Sequence, residues 1–141
     1  MQVTNQISEE VAAVHFSFDQ TSPIYQQIAA QLEEMIFTGG FKEGSQIPST
    51  NELSRELHIN PATVLKGMNL LVDAGLLEKH RGMGTFVSKG AHAQVVEERR
   101  KSFYDEYVVN VVDEAQKLNL SEERLIELIK RGYEENGHAE N

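Results

Sequence analysis

Cysteine and tryptophan are absent from this chain of 141 residues, and proline occurs only three times. Without cysteine there is neither a disulfide framework nor a thiolate zinc site, which fits a reducing compartment. Long apolar runs are missing as well. The opening stretch MQVTNQISEEVAAVHFSF has no basic region and no hydrophobic run of signal-peptide or membrane-span length, so a cytoplasmic protein without membrane contact is expected. With 40% hydrophobic residues, a chain this short builds one small domain and an appendage, which leaves little room for a catalytic domain. There is no set of nucleophile, base and orienting group, no phosphate-cradling glycine loop after a strand, and no metal cluster. His58, His80 and His92 form no helical i, i+4 pair on a shared face. Neither an enzyme nor a cofactor nor a bound metal is expected.

Positive charge is scarce: 13 Lys and Arg stand against 22 Asp and Glu, for a net charge of −9. The deficit is uneven along the chain. Residues 1–21 hold three acids and no base, residues 22–90 seven acids and six bases, and residues 91–141 twelve acids and seven bases. From His58 to Ala91 the sign reverses, with Lys66, Lys79, Arg81 and Lys89 against Asp73 and Glu78. A locally cationic segment is what a polyanion would select, and acids elsewhere restrain sequence-independent binding.

That cationic segment lies within the stretch from Ser49 to Phe86 on which the chain is organised. Ser49 is a helix N-cap with Glu52 at N3, the spacing of a reciprocal capping box, and Leu53 and Leu57 give a one-sided apolar stripe. After the turn at His58 and Ile59, Asn60 caps a second helix with Pro61 at N1, while Ile59 and Val64 occupy hydrophobic-staple positions. Val64, Met68, Leu71 and Val72 recur at helical spacing, leaving Ala62, Thr63, Lys66, Gly67 and Asn69 on or near the outer face. Gly75 ends the helix. Leu76–His80 and Thr85–Ser88 read as two strands around the turn Arg81-Gly82-Met83-Gly84. Two short helices, a tight turn and a small hairpin make a winged helix-turn-helix.

At these residues the chain resembles the GntR family of bacterial transcription regulators. The similar string begins at SPIYQQIAAQLEEMIFTGGFKEGSQIPS and ends with GLLEKHRGMGTFVSKG, about half the protein. Asn60-Pro61 and the short tail after the wing resemble the YtrA subfamily in particular. The resemblance implies a repressor that binds a double-stranded DNA operator as a homodimer, with transporter genes among its targets. Asn51, Pro61 and Leu65 stand where other members often carry Arg, so the operator cannot be copied from them.

In chain order, residues 1–21 form a lead-in: 1–14 have no clear period, and His15 to Phe18 alternate as a short strand or apolar latch would. Residues 22–90 make the winged domain. Ser22 is expected to cap its first helix with Pro23 at N1, and Ile24, Ile28, Leu32, Met35 and Ile36 to form the buried face. Gln46-Ile47 can add a third strand beside the wing. Residues 91–141 form a two-helix tail broken at Asn119-Leu120-Ser121, with Ser121 as cap and fraying expected from Glu134. Its stripe includes Phe103, Tyr104, Tyr107, Val108, Val111, Val112 and Ala115, faced by Leu125 and Ile129. The expected fold is therefore mostly α with a small β-wing, a winged helix-turn-helix followed by a dimerisation hairpin. A tail folded back on its own domain is the alternative to dimerisation.

The residues expected at DNA are Asn60, Pro61, Ala62, Thr63 and Lys66 at the start of the second helix, Ser49, Thr50 and Asn51 at the start of the first, and Arg81, Gly82, Gly84 and Thr85 in the wing. Asn60 serves equally well as a cap alone; Tyr25 could touch phosphate, but a lone aromatic on a half-buried helix is more often packing. A winged helix devoted to protein contacts or replication is the rival function, against which the cationic wing stands. A small-molecule effector is placed, if there is one, at the dimer interface near Tyr104, Tyr107 and Tyr133, since two helices alone enclose no large pocket.

Overall fold

A computed structural model describes residues 16–139, and the chain divides into two compact units, Met1–Glu98 and Arg99–Asn141. The elements are α1 (Ile24–Thr38), α2 (Thr50–Leu57), α3 (Pro61–Asp73), β1 (Leu77–His80), β2 (Gly84–Val87), α4 (Ala91–Phe103), a π-helical turn (Tyr104–Val108), α5 (Val109–Lys117) and α6 (Glu122–Ala139). Residues 1–14 and His15, for which a lead-in and the start of a latch were expected, lie outside the described residues. No helix among the described residues is long and apolar enough to cross a membrane.

The first unit is built around α1. Ile28, Leu32 and Ile36 face Leu53 of α2 and Val64 and Met68 of α3, all nearly excluded from solvent, with Ile47, Leu76, Leu77 and Val87 closing the core. Full burial of each such side chain stabilises the fold by about 1.5–3 kcal/mol before the entropy of ordering the chain is counted. α1 starts one residue later than expected: Pro23 is extended, with ψ 141°, and occupies the N-cap position with no side-chain cap. Ser22 therefore does not cap it. Instead Gln27 reaches back from the first turn and donates to the Ser22 and Asp19 carbonyls at 2.7 and 3.0 Å.

Phe16 and Phe18 pack against the core as an apolar latch, and no strand forms there. The latch is held by side-chain amides. Gln31 accepts from the Ser17 amide (3.1 Å) and donates to the Ser17 carbonyl (2.8 Å), and Gln27 makes the same pair of bonds to Asp19. Thr21 donates to the Asp19 carboxylate through both its hydroxyl and its amide, which holds that carboxyl below its usual range.

The expected caps of α2 and α3 form, the first of them only in part. Ser49 Oγ accepts from the Glu52 amide at 3.1 Å, although Glu52 does not return the bond, so only half of the capping box forms. Asn60 Oδ1 accepts from the Ala62 amide at 2.8 Å, and Pro61 is the first helical residue. At the other end of α3, the Leu76 amide donates to the Leu71 carbonyl and Gly75, with φ 80°, donates to Val72, a Schellman motif. Gly67 departs from expectation. It is buried, because it lies three residues from Val64 and four from Leu71 on the inward face, where α3 crosses α1.

β1 and β2 pair antiparallel from Leu77 opposite Val87 to His80 opposite Gly84. The third strand is reduced to a single bridge, Gln46 opposite Phe86, backed by the Ile47 amide donating to Thr85 and the Val87 amide donating to Ser45. The first unit also takes in the start of α4: Ala91 and Val95 are core residues, and Gln94 Nε2 donates to the Ala74 carbonyl at 2.8 Å. Compactness thus extends past Gly90 to Glu98.

In the second unit the helix continues through the π turn, where the Val109 amide donates to the Tyr104 carbonyl five residues back. Asn119, with φ 58°, ends α5 as glycine would, the Leu120 amide donating to Ala115 and that of Asn119 to Gln116. Ser121 Oγ then accepts from the Arg124 amide at 3.1 Å, the expected cap. α6 runs on to Ala139, with Arg131 paired to Glu135, so the fraying expected from Glu134 is not found up to that residue. Among the side chains described from Arg99 onward only Ala115 is buried, while Phe103, Tyr104, Tyr107, Val111, Val112, Leu118, Ile126, Ile129 and Tyr133 are exposed.

Candidate nucleic-acid interface

α3 presents the polar start expected of a recognition helix. Asn60, Pro61, Ala62 and Lys66 are exposed and Thr63 is half-buried. Ala62, Lys66 and Asn69 border one shallow depression together with Leu65, Leu70 and Asp73. Leu65 and Leu70 are exposed apolar side chains that periodicity alone assigned to no role. On the outer face of a groove-reading helix, such groups suit a thymine methyl.

Four of the expected contacts, Asn60, Thr50, Ser49 and Lys66, already have partners within the chain. Asn60 Oδ1 is committed to the Ala62 amide, and the Thr50 hydroxyl points to the Met68 sulfur at 3.5 Å, joining α2 to α3. Ser49 and Asn51 are exposed at the start of α2, though Ser49 Oγ carries its cap bond. Lys66 is placed differently from a free groove reader. Its Nζ stands 4.0 Å from the centroid of the Tyr25 ring, whose hydroxyl accepts from Gln26 Nε2 at 3.2 Å. Tyr25 thus packs against Lys66, a partnership between residues 41 positions apart that the sequence does not reveal.

The wing turn is closed by the Met83 amide donating to the His80 carbonyl at 2.8 Å, with Gly82 at φ 79° and Gly84 at φ 124°. Arg81, Gly82, Met83 and Gly84 are exposed and Thr85 is half-buried. Arg81 makes no hydrogen bond or ion pair among the described residues, so its charge is available to an anion. Gln46 lies beneath the tip and donates to the Met83 carbonyl at 2.9 Å, and Lys79 Nζ donates to Asn69 at 2.6 Å, tying β1 to α3. Neither link is visible in the sequence, because both join residues whose proximity depends on the fold. No group of three or more potential metal ligands occurs among the described residues.

Comparison with known proteins agrees with this architecture. The family described as "Bacterial regulatory proteins, gntR family" matches residues 24–87, the stretch from α1 to β2. The HTH-type transcriptional repressor YtrA of Bacillus subtilis is 34% identical over 110 residues, covering 78% of this chain and 84% of the relative. A putative transcriptional regulator of the GntR family from Bacteroides thetaiotaomicron superposes with a TM-score of 0.61 at 30% identity, over 84% of this chain and 99% of that one. A transcriptional regulator from Oenococcus oeni shares the fold with a TM-score of 0.70 at 24% identity, over 83% and 96% of the two chains. A similarity that runs past the wing into the tail, on a helix-turn-helix with a cationic wing, places this non-enzymatic chain in the GntR family of DNA-binding transcription regulators.

Proposed function

We propose that the protein is a repressor that binds an inverted-repeat operator as a homodimer, α3 entering the major groove and the wing approaching the minor groove. The YtrA relative is named a repressor, and that role is carried over here. Asn60 to Thr63 and Lys66 contribute the base-edge and rim contacts, Ser49 to Asn51 lie toward phosphate, and Arg81 with Gly82, Gly84 and Thr85 meets sugar-phosphate and groove floor. The observation that carries the reading is the pairing of an exposed polar recognition helix with an unpaired arginine in a glycine wing.

Dimerisation is assigned to the hairpin of α5 and α6. Its groove of about 330 Å³ is lined by Val111, Ala115, Leu118, Leu120, Leu125 and Leu128 with hardly a polar atom. Val108 and Val112 line a second depression with Tyr104, and the Phe103 and Tyr107 rings meet at a tilt of 40° with centroids 5.4 Å apart. An apolar face of this extent on a small unit calls for a partner, and a two-fold pairing is the common closed solution. Tyr104 lines the second depression, where an effector at the paired face would meet it.

The experiment is a gel shift of the full chain on DNA flanking its own gene, at low and high salt and with random competitor. A shift that survives competitor and falls with salt supports the reading. A shift lost to equimolar random DNA would reduce the protein to a non-specific binder, and no shift at all would favour a protein-contact role. Transporter genes beside the bound site would support the target class.

A further inference from the structure

We propose that Tyr25 is a specificity-determining residue that acts through Lys66, its ring holding the ammonium at one place on the outer face of α3. The inference rests on Lys66 as a DNA contact. Two independent features set up the pair. The Lys66 Nζ stands 4.0 Å above the ring centroid, within the range where the ring's negative face attracts a cation. The neighbouring Gly67 meets the Tyr25 backbone so closely that an added Cβ would lie 2.8 Å from the Tyr25 carbonyl oxygen. That close crossing of α1 and α3 is what carries the ring beneath residue 66.

The choice of an aromatic partner has a consequence for charge. A carboxylate in the place of Tyr25 would also anchor Lys66, but it would cancel the positive charge that DNA must see. The ring's quadrupole attracts the ammonium and leaves the net charge whole. No carboxylate pairs with Lys66 among the described residues.

Restraint converts into discrimination. A free lysine on an exposed helix has four rotatable bonds, and it reaches whichever phosphate is near, on any sequence. Held on the ring, the same ammonium samples a small volume, so it rewards only the duplex that places an acceptor there. The loss of rotamer freedom has already occurred before DNA arrives, which favours the matched complex. Tyr25 is a positioning residue in this account through its ring, and the hydroxyl, which accepts from Gln26, is not needed for the hold on Lys66.

The test uses the full chain and a duplex that the protein selects from a random pool, with a scrambled duplex for reference. Affinities are read by fluorescence anisotropy for wild type, Tyr25→Phe, Tyr25→Leu, Lys66→Met and Tyr25→Leu/Lys66→Met. Tyr25→Leu is expected to lower the ratio of selected to scrambled affinity about two- to fivefold. Tyr25→Phe should keep the ratio, and Tyr25→Leu should change nothing further once Lys66 is Met. The Lys66 ε-methylene protons should lie upfield in wild type and Tyr25→Phe and return to ordinary shifts in Tyr25→Leu, a ring-current signature that general loosening of the fold would not reproduce selectively. If Tyr25→Phe loses as much as Tyr25→Leu, the hydroxyl is itself the contact and the proposal is overturned. Additive losses in the double variant overturn it as well. If Lys66→Met leaves selected-duplex affinity unchanged, the reading of Lys66 as a contact fails and the proposal with it. If Lys66→Met weakens binding and Tyr25→Leu does not, the positioning role alone fails.

Discussion

Adding one methyl group at Gly67 would set a carbon 2.8 Å from the Tyr25 carbonyl and 3.0 Å from the Ile28 side chain, where α3 crosses α1. Gly67→Ala is therefore expected to cost about 1–3 kcal/mol through displaced helices, read as a lower urea midpoint. Ser88 presents the opposite case. Its hydroxyl is buried without a hydrogen-bond partner among the described residues, so Ser88→Ala should be neutral or stabilise by about 1 kcal/mol in the same assay. At the DNA surface, Lys66→Ala should lose about 1–3 kcal/mol on operator and little on random DNA, whereas Arg81→Ala should weaken both. Equal losses on both duplexes for Lys66 would make it a phosphate contact. Caps were legible in the sequence because Ser49, Asn60 and Ser121 act on amides two or three residues away. Gly67 was not, because hydrophobic periodicity has no side chain to count at a glycine.

Elements were legible where period and punctuation agreed, as in α2, α3 and the wing. They were obscure where one segment lies on another. The strap of residues 16–19 runs along α1 with Ser17 and Asp19, two apart in extended chain, paired to Gln31 and Gln27, four apart on a helix. Four helical residues rise about 6 Å and two extended residues about 6.6 Å, so the two spacings match. Gln31→Ala removes two of these bonds, each worth about 0.5–1.5 kcal/mol. Hydrogen exchange at the Ser17 amide should quicken severalfold or more, and unchanged exchange would show that the phenylalanines alone hold the strap. The π turn was equally hidden. Its i, i+5 bond leaves the residue pattern close to that of an α-helix, and nothing at Tyr104 to Val108 announces the extra residue.

Taken whole, the molecule keeps its charges apart along the chain, with the cationic stretch in the winged domain and most of the acidic excess in the tail. The hairpin's apolar surplus was legible as a stripe wider than one partner helix covers. That α4 begins as part of the winged domain was not, since Ala91 and Val95 read equally well as the head of the tail's own stripe. Val111→Glu with Ile129→Glu places charges at two exposed positions of the assigned interface. The expected outcome is a monomer by sedimentation at micromolar concentration, with the thermal midpoint of the winged domain little changed; a persistent dimer would move the interface elsewhere. The proposed pairing of copies through the hairpin would also determine how the cell experiences the regulator. Below the dimer dissociation constant, the concentration of the two-headed form rises as the square of the monomer concentration. Operator occupancy would then have a threshold in protein dose, and modest changes in synthesis or proteolysis would switch the regulated genes without any ligand at all.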